Sequence, residues 1–208
     1  MNEVYFEKLA AYVRSLLDQF PVSKEVQPIE HTVSKLFSII KEKQKTETER
    51  IRNLWCYKSQ KQNTGPHFTG LNTIGMLSDR FTILLIREWC LRNKHNDPLK
   101  AEELYDRQTR DIIKALAGCK PGNASLNSKI TGIETVVSAS DWEDSFYQLL
   151  GINLILWESQ EVLYVKDILS LPNKELRDYI RWFSRGNMER NALIELAESR
   201  FWEKAGRE

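Results

Sequence analysis

The chain has 208 residues, 41% of them hydrophobic, enough for one sizeable domain with its own core. Thirty basic residues nearly balance twenty-nine acidic ones, so a net charge of +1 excludes a global pull toward nucleic acid or acidic lipid, and any charged site must be local. The three cysteines, Cys56, Cys90 and Cys119, are odd in number and far apart, which argues against a disulfide framework or a thiolate zinc site and fits a reducing cytoplasm.

The first twenty residues lack a basic leader, an apolar core and a small-residue cleavage site, so they read as mature sequence. Phe6, Leu9, Val13, Leu16, Leu17 and Phe20 share one face, which predicts a helix over 3–20 ended by Pro21. A second helix is expected from Pro28 through Val33, Phe37 and Ile40. It runs on into the mixed-charge tract 41–50 and resumes its stripe at Ile51, Leu54 and Trp55. Gly65-Pro66 and Gly70 then mark a loop near 60–72. The third helix, over about 72–93, has two apolar faces, with Leu77, Phe81 and Leu85 on one and Met76, Ile83 and Cys90 on the other, and so belongs at the centre of a bundle. Its apolar run 81–86 is far short of the roughly 20 residues needed to cross a bilayer, and no membrane insertion is expected.

Asn96-Asp97-Pro98 supplies a cap and a first-turn proline for a fourth helix ending before Gly118. The Gly/Ser/Asn-rich stretch 118–140 reads as a loop, with Ile130, Ile133, Val136 and Val137 able to form a short helix or a docked extended segment. Ser140 and Glu143 have capping-box spacing before a fifth helix carrying Trp142, Phe146, Leu149, Leu156 and Leu163. The sixth begins at Pro172, with a seam through Leu176, Ile180, Phe183, Ile194 and Phe201, and exceeds thirty residues if Gly186 is tolerated. The expectation is an all-α single domain over 1–208, a bundle of about six mostly long helices. The likeness of 109–116 to 189–196 further suggests two helical hairpins related by an approximate internal repeat.

Polar residues at apolar positions mark the candidate sites. Asp79, Glu88 and Arg92 on the central helix would be buried there, and with Arg80 and Arg87 they form either a polar pocket for a ligand or ion pairs that fix helix register. Asn153, Asn187 and Asn191 fall on helix seams, where an Asn specifies pairing; with Glu158, Arg190 and Glu195 they would offer amides, carboxylates and a guanidinium to a polar ligand or partner. Metal binding has no support, because His31, His67 and His95 are dispersed without HxxxH or Glu-x-x-His spacing. Neither a dinucleotide nor a phosphate loop motif occurs, and no cofactor is expected.

A nucleic-acid contact is conceivable through Lys41, Lys43, Lys45, Arg52, Lys58 and Lys61, with Trp55 and Tyr57 interleaved, although Glu42, Glu47 and Glu49 interrupt the positive stripe. Arg177, Arg181 and Arg185 form a shorter basic row at i,i+4 spacing. Six tryptophans, among them Trp182 and Trp202 off the main stripe of the last helix, point toward an oligomer or a partner surface.

Two groups of residues resemble an uncharacterised bacterial all-helical family met among surface-polysaccharide genes. One is the stretch 73–84, Thr-Ile-Gly-Met-Leu-Ser-Asp-Arg-Phe-Thr-Ile-Leu. The other is 153–158 followed by 187–195, in an order reversed here. The resemblance implies no activity; it implies that Asp79, Arg80, Trp157 and Arg190 are positions to examine. The leading expectation is a non-enzymatic interaction or assembly protein acting through an aromatic-rich helix surface. Nucleic-acid binding through 41–61 and a ligand or catalytic pocket around the third helix are the alternatives.

Overall fold

The computed structural model describes residues 3–20, 73–119, 137–165 and 170–205, and among them every regular element is helical. Five helices result: α1 (Glu3–Leu17), α2 (Ile74–Asn93), α3, α4 (Trp142–Val165) and α5 (Asn173–Ala205). Helix α3 is a continuous rod of Pro98–Leu104, a π-helical turn Tyr105–Thr109 and Arg110–Gly118. The second helix and the 60–72 loop expected from the sequence lie outside the described residues.

In α1 the apolar stripe is buried as its period requires, with Phe6, Val13 and Leu17 fully covered. The helix stops three residues short of the expected end, because Gln19 and Phe20 switch to tighter i→i−3 bonds ahead of Pro21. Helix α2 starts at the Thr73 cap, whose hydroxyl accepts the Met76 N–H at 3.2 Å. Buried residues surround it on nearly all sides, and it contacts α1, α3, α4 and α5. The expected central helix is therefore central. The connection to α3 passes through Asn96, whose φ of 51° uses the left-handed conformation that Asn tolerates. The Asp97 carboxylate then accepts the Lys100 N–H at 3.0 Å and caps α3 one residue before Pro98.

Two local expectations are corrected. Helix α4 is capped not by Ser140 and Glu143 but one residue along: Asp141 accepts the Asp144 N–H at 2.8 Å, and Asp144 reaches back to the Ser140 N–H at 2.8 Å. Glu143 is thereby free to bond Tyr5 and Lys204. Ile180, expected on the buried seam of α5, is 54% exposed. The stretches compared as a repeat also differ: 109–116 begins at the π-helical turn, whereas 189–196 lies inside unbroken α5.

The core centres on Trp142. Its ring meets Phe6 of α1 at 5.8 Å, Phe146 at 5.4 Å and Phe201 of α5 at 5.7 Å, and its Nε1 donates to Ser78 of α2 at 3.3 Å. Four helices are thus joined through one side chain, and burying so large a ring stabilises the fold by roughly 3 kcal/mol or more.

Candidate functional site

Helices α2 and α5 cross unusually closely. A Cβ built on Gly75 would sit 2.1 Å from the Ile194 carbonyl oxygen, so only glycine permits the approach. Residues one turn on in α2 and one turn back in α5 therefore face each other. Asp79, 4% exposed, meets Arg190 in a two-pronged pair, Nε to Oδ1 at 2.7 Å and Nη2 to Oδ2 at 2.5 Å. From α4, the Asn153 amide donates to Asp79 Oδ1 at 2.9 Å and to Thr82 Oγ1 at 2.8 Å, while the Thr82 hydroxyl donates to the Asp79 carbonyl at 2.7 Å. One turn in the other direction, Glu198 of α5 accepts the Gly75 N–H at 2.6 Å and the Trp202 indole N–H at 2.6 Å, supplying a carboxylate to the N-terminus of α2. This polar seam ties three helices together, with Asp79 matched by Arg190 and Glu198 held by two N–H donors.

A second cluster lies where α1 meets α2 and α3. Glu88, 1% exposed, takes Arg14 at 2.8 Å and stands 3.6 Å from Arg92, while Arg92 also pairs with Asp18 at 2.8 Å and Arg14 lies 4.9 Å over the Tyr105 ring. Glu88 Oε2 and the Arg92 Nε and Nη2 atoms are buried without a hydrogen-bond partner among the described residues. Burial raises the Glu88 carboxyl above its ordinary value, and the two guanidinium groups only partly offset that.

The third cluster closes the far end of α2. Lys94 bonds Glu158 and, at 2.6 Å, Glu161, whose other oxygen accepts the Trp157 indole N–H at 2.8 Å. Burial alone would lower the Lys94 ammonium, but the two carboxylates reverse this and raise it. The Cys90 thiol, 3.9 Å from Glu161, is pushed up to about 12 chiefly by burial. Burial thus favours the thiol over the thiolate near neutral pH.

The candidate pocket residues are thus divided. Asp79, Asn153 and Arg190 come together; Glu88 and Arg92 turn instead to α1; Glu158 pairs with Lys94. Arg80, Arg87 and Asn191, candidates for the same pocket, are exposed. Asn187 donates back to the Phe183 carbonyl of its own helix at 3.0 Å rather than across a seam. The basic residues Lys41, Lys43, Lys45, Arg52, Lys58 and Lys61 lie outside the described residues. No group of three potential metal ligands occurs among the described residues. No helix among them is long and apolar enough to cross a membrane.

Sequence reasoning missed Thr82, Arg14, Lys94, Glu161 and Glu198. Thr82 follows Asp79 by three residues, a spacing that places both on one helix face. Arg14 and Lys94 carry no such mark, because long basic side chains are ordinarily solvent-facing. No family model, curated protein or solved structure matches the chain.

Proposed function

We propose that this chain is a non-enzymatic helical assembly protein that associates through the first turns of α5. The observation that supports this reading is Ile180, 54% exposed on a helix where Tyr179, Trp182 and Phe183 form an adjoining aromatic cluster, with Tyr179–Trp182 and Tyr179–Phe183 ring centroids both 6.1 Å apart. An exposed β-branched residue beside the half-buried Trp182 and Phe183, with Tyr179 buried beneath them, in a helix otherwise polar on its outer side, is the composition of a docking face. A catalytic reading has less support. Asp79, Glu88 and Lys94 are each held by an opposite charge within the fold, and the Cys90 thiol is not activated.

Sedimentation velocity over a concentration series tests the proposal. The wild-type mass should rise with concentration, and Ile180→Glu, a surface change that leaves the helix intact, should hold the chain monomeric. A wild-type chain that stays monomeric throughout, or association untouched by Ile180→Glu, would reject it. Salt-sensitive binding of RNA or DNA without self-association would favour the nucleic-acid alternative instead.

A further inference from the structure

The two most exposed large apolar side chains among the described residues are Leu99, at 79%, and Ile180. Each sits beside exposed side chains of mainly one charge sign, acids on α3, where Arg107 and Arg110 follow them, and arginines on α5. On α3, Leu99, Glu102, Glu103 and Asp106 occur at i, i+3, i+4 and i+7, all exposed on one face. On α5, Arg177, Ile180, Arg181 and Ser184 occur at the same spacing, also all exposed, with Lys174 and Arg185 extending the basic row. Neither Arg177 nor Arg181 has an ion pair among the described residues. Glu102 also has none, while Glu103 and Asp106 hold only exposed i,i+4 partners, Arg107 at 3.0 Å and Arg110 at 3.1 Å. Such surface pairs contribute at most a few tenths of a kcal/mol and do not immobilise the carboxylates.

We infer that these two stripes are the two halves of one interface between copies of this chain: the Leu99–Glu102–Glu103–Asp106 face of one molecule lies along the Arg177–Ile180–Arg181 face of another. This rests on the docking role of α5 given above and names what α5 meets. The match is one of length as well as sign. Each stripe spans eight residues of helix, about 10 Å, and offers one aliphatic residue with acids on one side and arginines on the other. A nucleic-acid occupant fits the α5 stripe less well. Asp178 is exposed at its edge, Glu189 already pairs Arg185, and the aromatics available for stacking are half-buried or buried. The contact is small, so association belongs to the weak, salt-sensitive class.

Charge reversal tests it, since every residue changed is exposed. The variants are Arg177→Glu/Arg181→Glu on α5 and Glu102→Lys/Glu103→Lys on α3, compared by sedimentation at low salt with circular dichroism as the folding control. Each variant alone should be monomeric. An equimolar mixture should associate again, because the acidic α3 of the first then meets the basic α5 of the second, and the reversed α3 of the second meets the reversed α5 of the first. Loss of association in the α5 variant but not the α3 variant would overturn the pairing while leaving the α5 docking face in place. Two variants that both associate as the wild type does, or a mixture that fails to recover, would also overturn it. A wild-type chain monomeric at every concentration would remove the pairing and the docking role together.

Discussion

At the seam between α2 and α5, both oxygens of Asp79 are occupied by Arg190 and Asn153, whereas at the seam between α2 and α1, Glu88 is even less exposed yet keeps one oxygen without a donor among the described residues. Glu88 has two guanidinium groups near it and still has a raised carboxyl, with burial the larger cause. The number of opposite charges nearby is therefore a poor guide to how well a buried carboxylate is accommodated. Donors placed on each oxygen decide it, since an unmatched lone pair keeps its desolvation cost while a 3.6 Å ion contact returns little.

The largest effect should come from breaking the matched seam. Asp79→Ala leaves Arg190 and Asn153 without their acceptor and should cost about 3–5 kcal/mol in urea denaturation. Glu88→Ala, which removes a carboxylate already ill-matched, should cost clearly less. Equal losses would mean that the two seams are alike.

Next in size is the close crossing itself. Gly75→Ala drives a methyl into the Ile194 backbone and should cost about 1–3 kcal/mol in the same measurement. Gly186→Ala meets only the Leu156 Cδ2 methyl at 2.9 Å, a flexible side-chain end, and gains helix propensity, so it should stay within about 1 kcal/mol of wild type. If Gly186→Ala proved the worse of the two, backbone approach would not be what sets the α2–α5 seam.

The smallest effects are in pH dependence, followed by thermal melts over roughly pH 3 to 7. The folded pKa of Glu88 is raised, so wild type should gain stability relative to Glu88→Gln as pH falls through that value toward 4.5. Glu143 behaves oppositely. Burial works to raise its carboxyl, but the Lys204 and Tyr5 hydrogen bonds outweigh burial and lower it. Its advantage over Glu143→Gln, about 0.5–1 kcal/mol for a partly exposed pair, should be present above pH 4.5 and vanish as pH falls through the lowered value. Parallel pH profiles for the two variants would contradict the difference in their surroundings.

Much of the helical framework was legible because its signals are local. The two apolar faces of α2, the Asp97–Pro98 start of α3 and the Pro172 start of the 33-residue α5 all follow from spacing and capping chemistry. The shift of the α4 cap was not legible, since Ser140 and Asp141 are adjacent and either residue type can accept a first-turn N–H; what separates them is that Glu143 is engaged by Tyr5 and Lys204. The grouping of the polar site was half legible. Asp79 and Glu88 are nine residues apart, about two and a half turns, which puts them on opposite sides of α2 and excludes a shared pocket. Their partners Arg190 and Arg14 lie 111 and 74 residues away along the chain, and nothing local announces a contact at that range. The π-helical turn at Tyr105–Thr109 has no sequence signal that the periodicity reveals.

The carboxylate that Glu198 gives to the first turn of α2 comes from 123 residues further along the chain. While the protein is being synthesised, α2 leaves the ribosome with its leading amide uncovered and its central Asp79 unmatched, and it stays so until nearly the whole of α5 has been made. The contacts that couple the last helix to the central one can therefore form only when synthesis is nearly complete. A chain interrupted before Arg190 lacks the cation that the fold sets against Asp79.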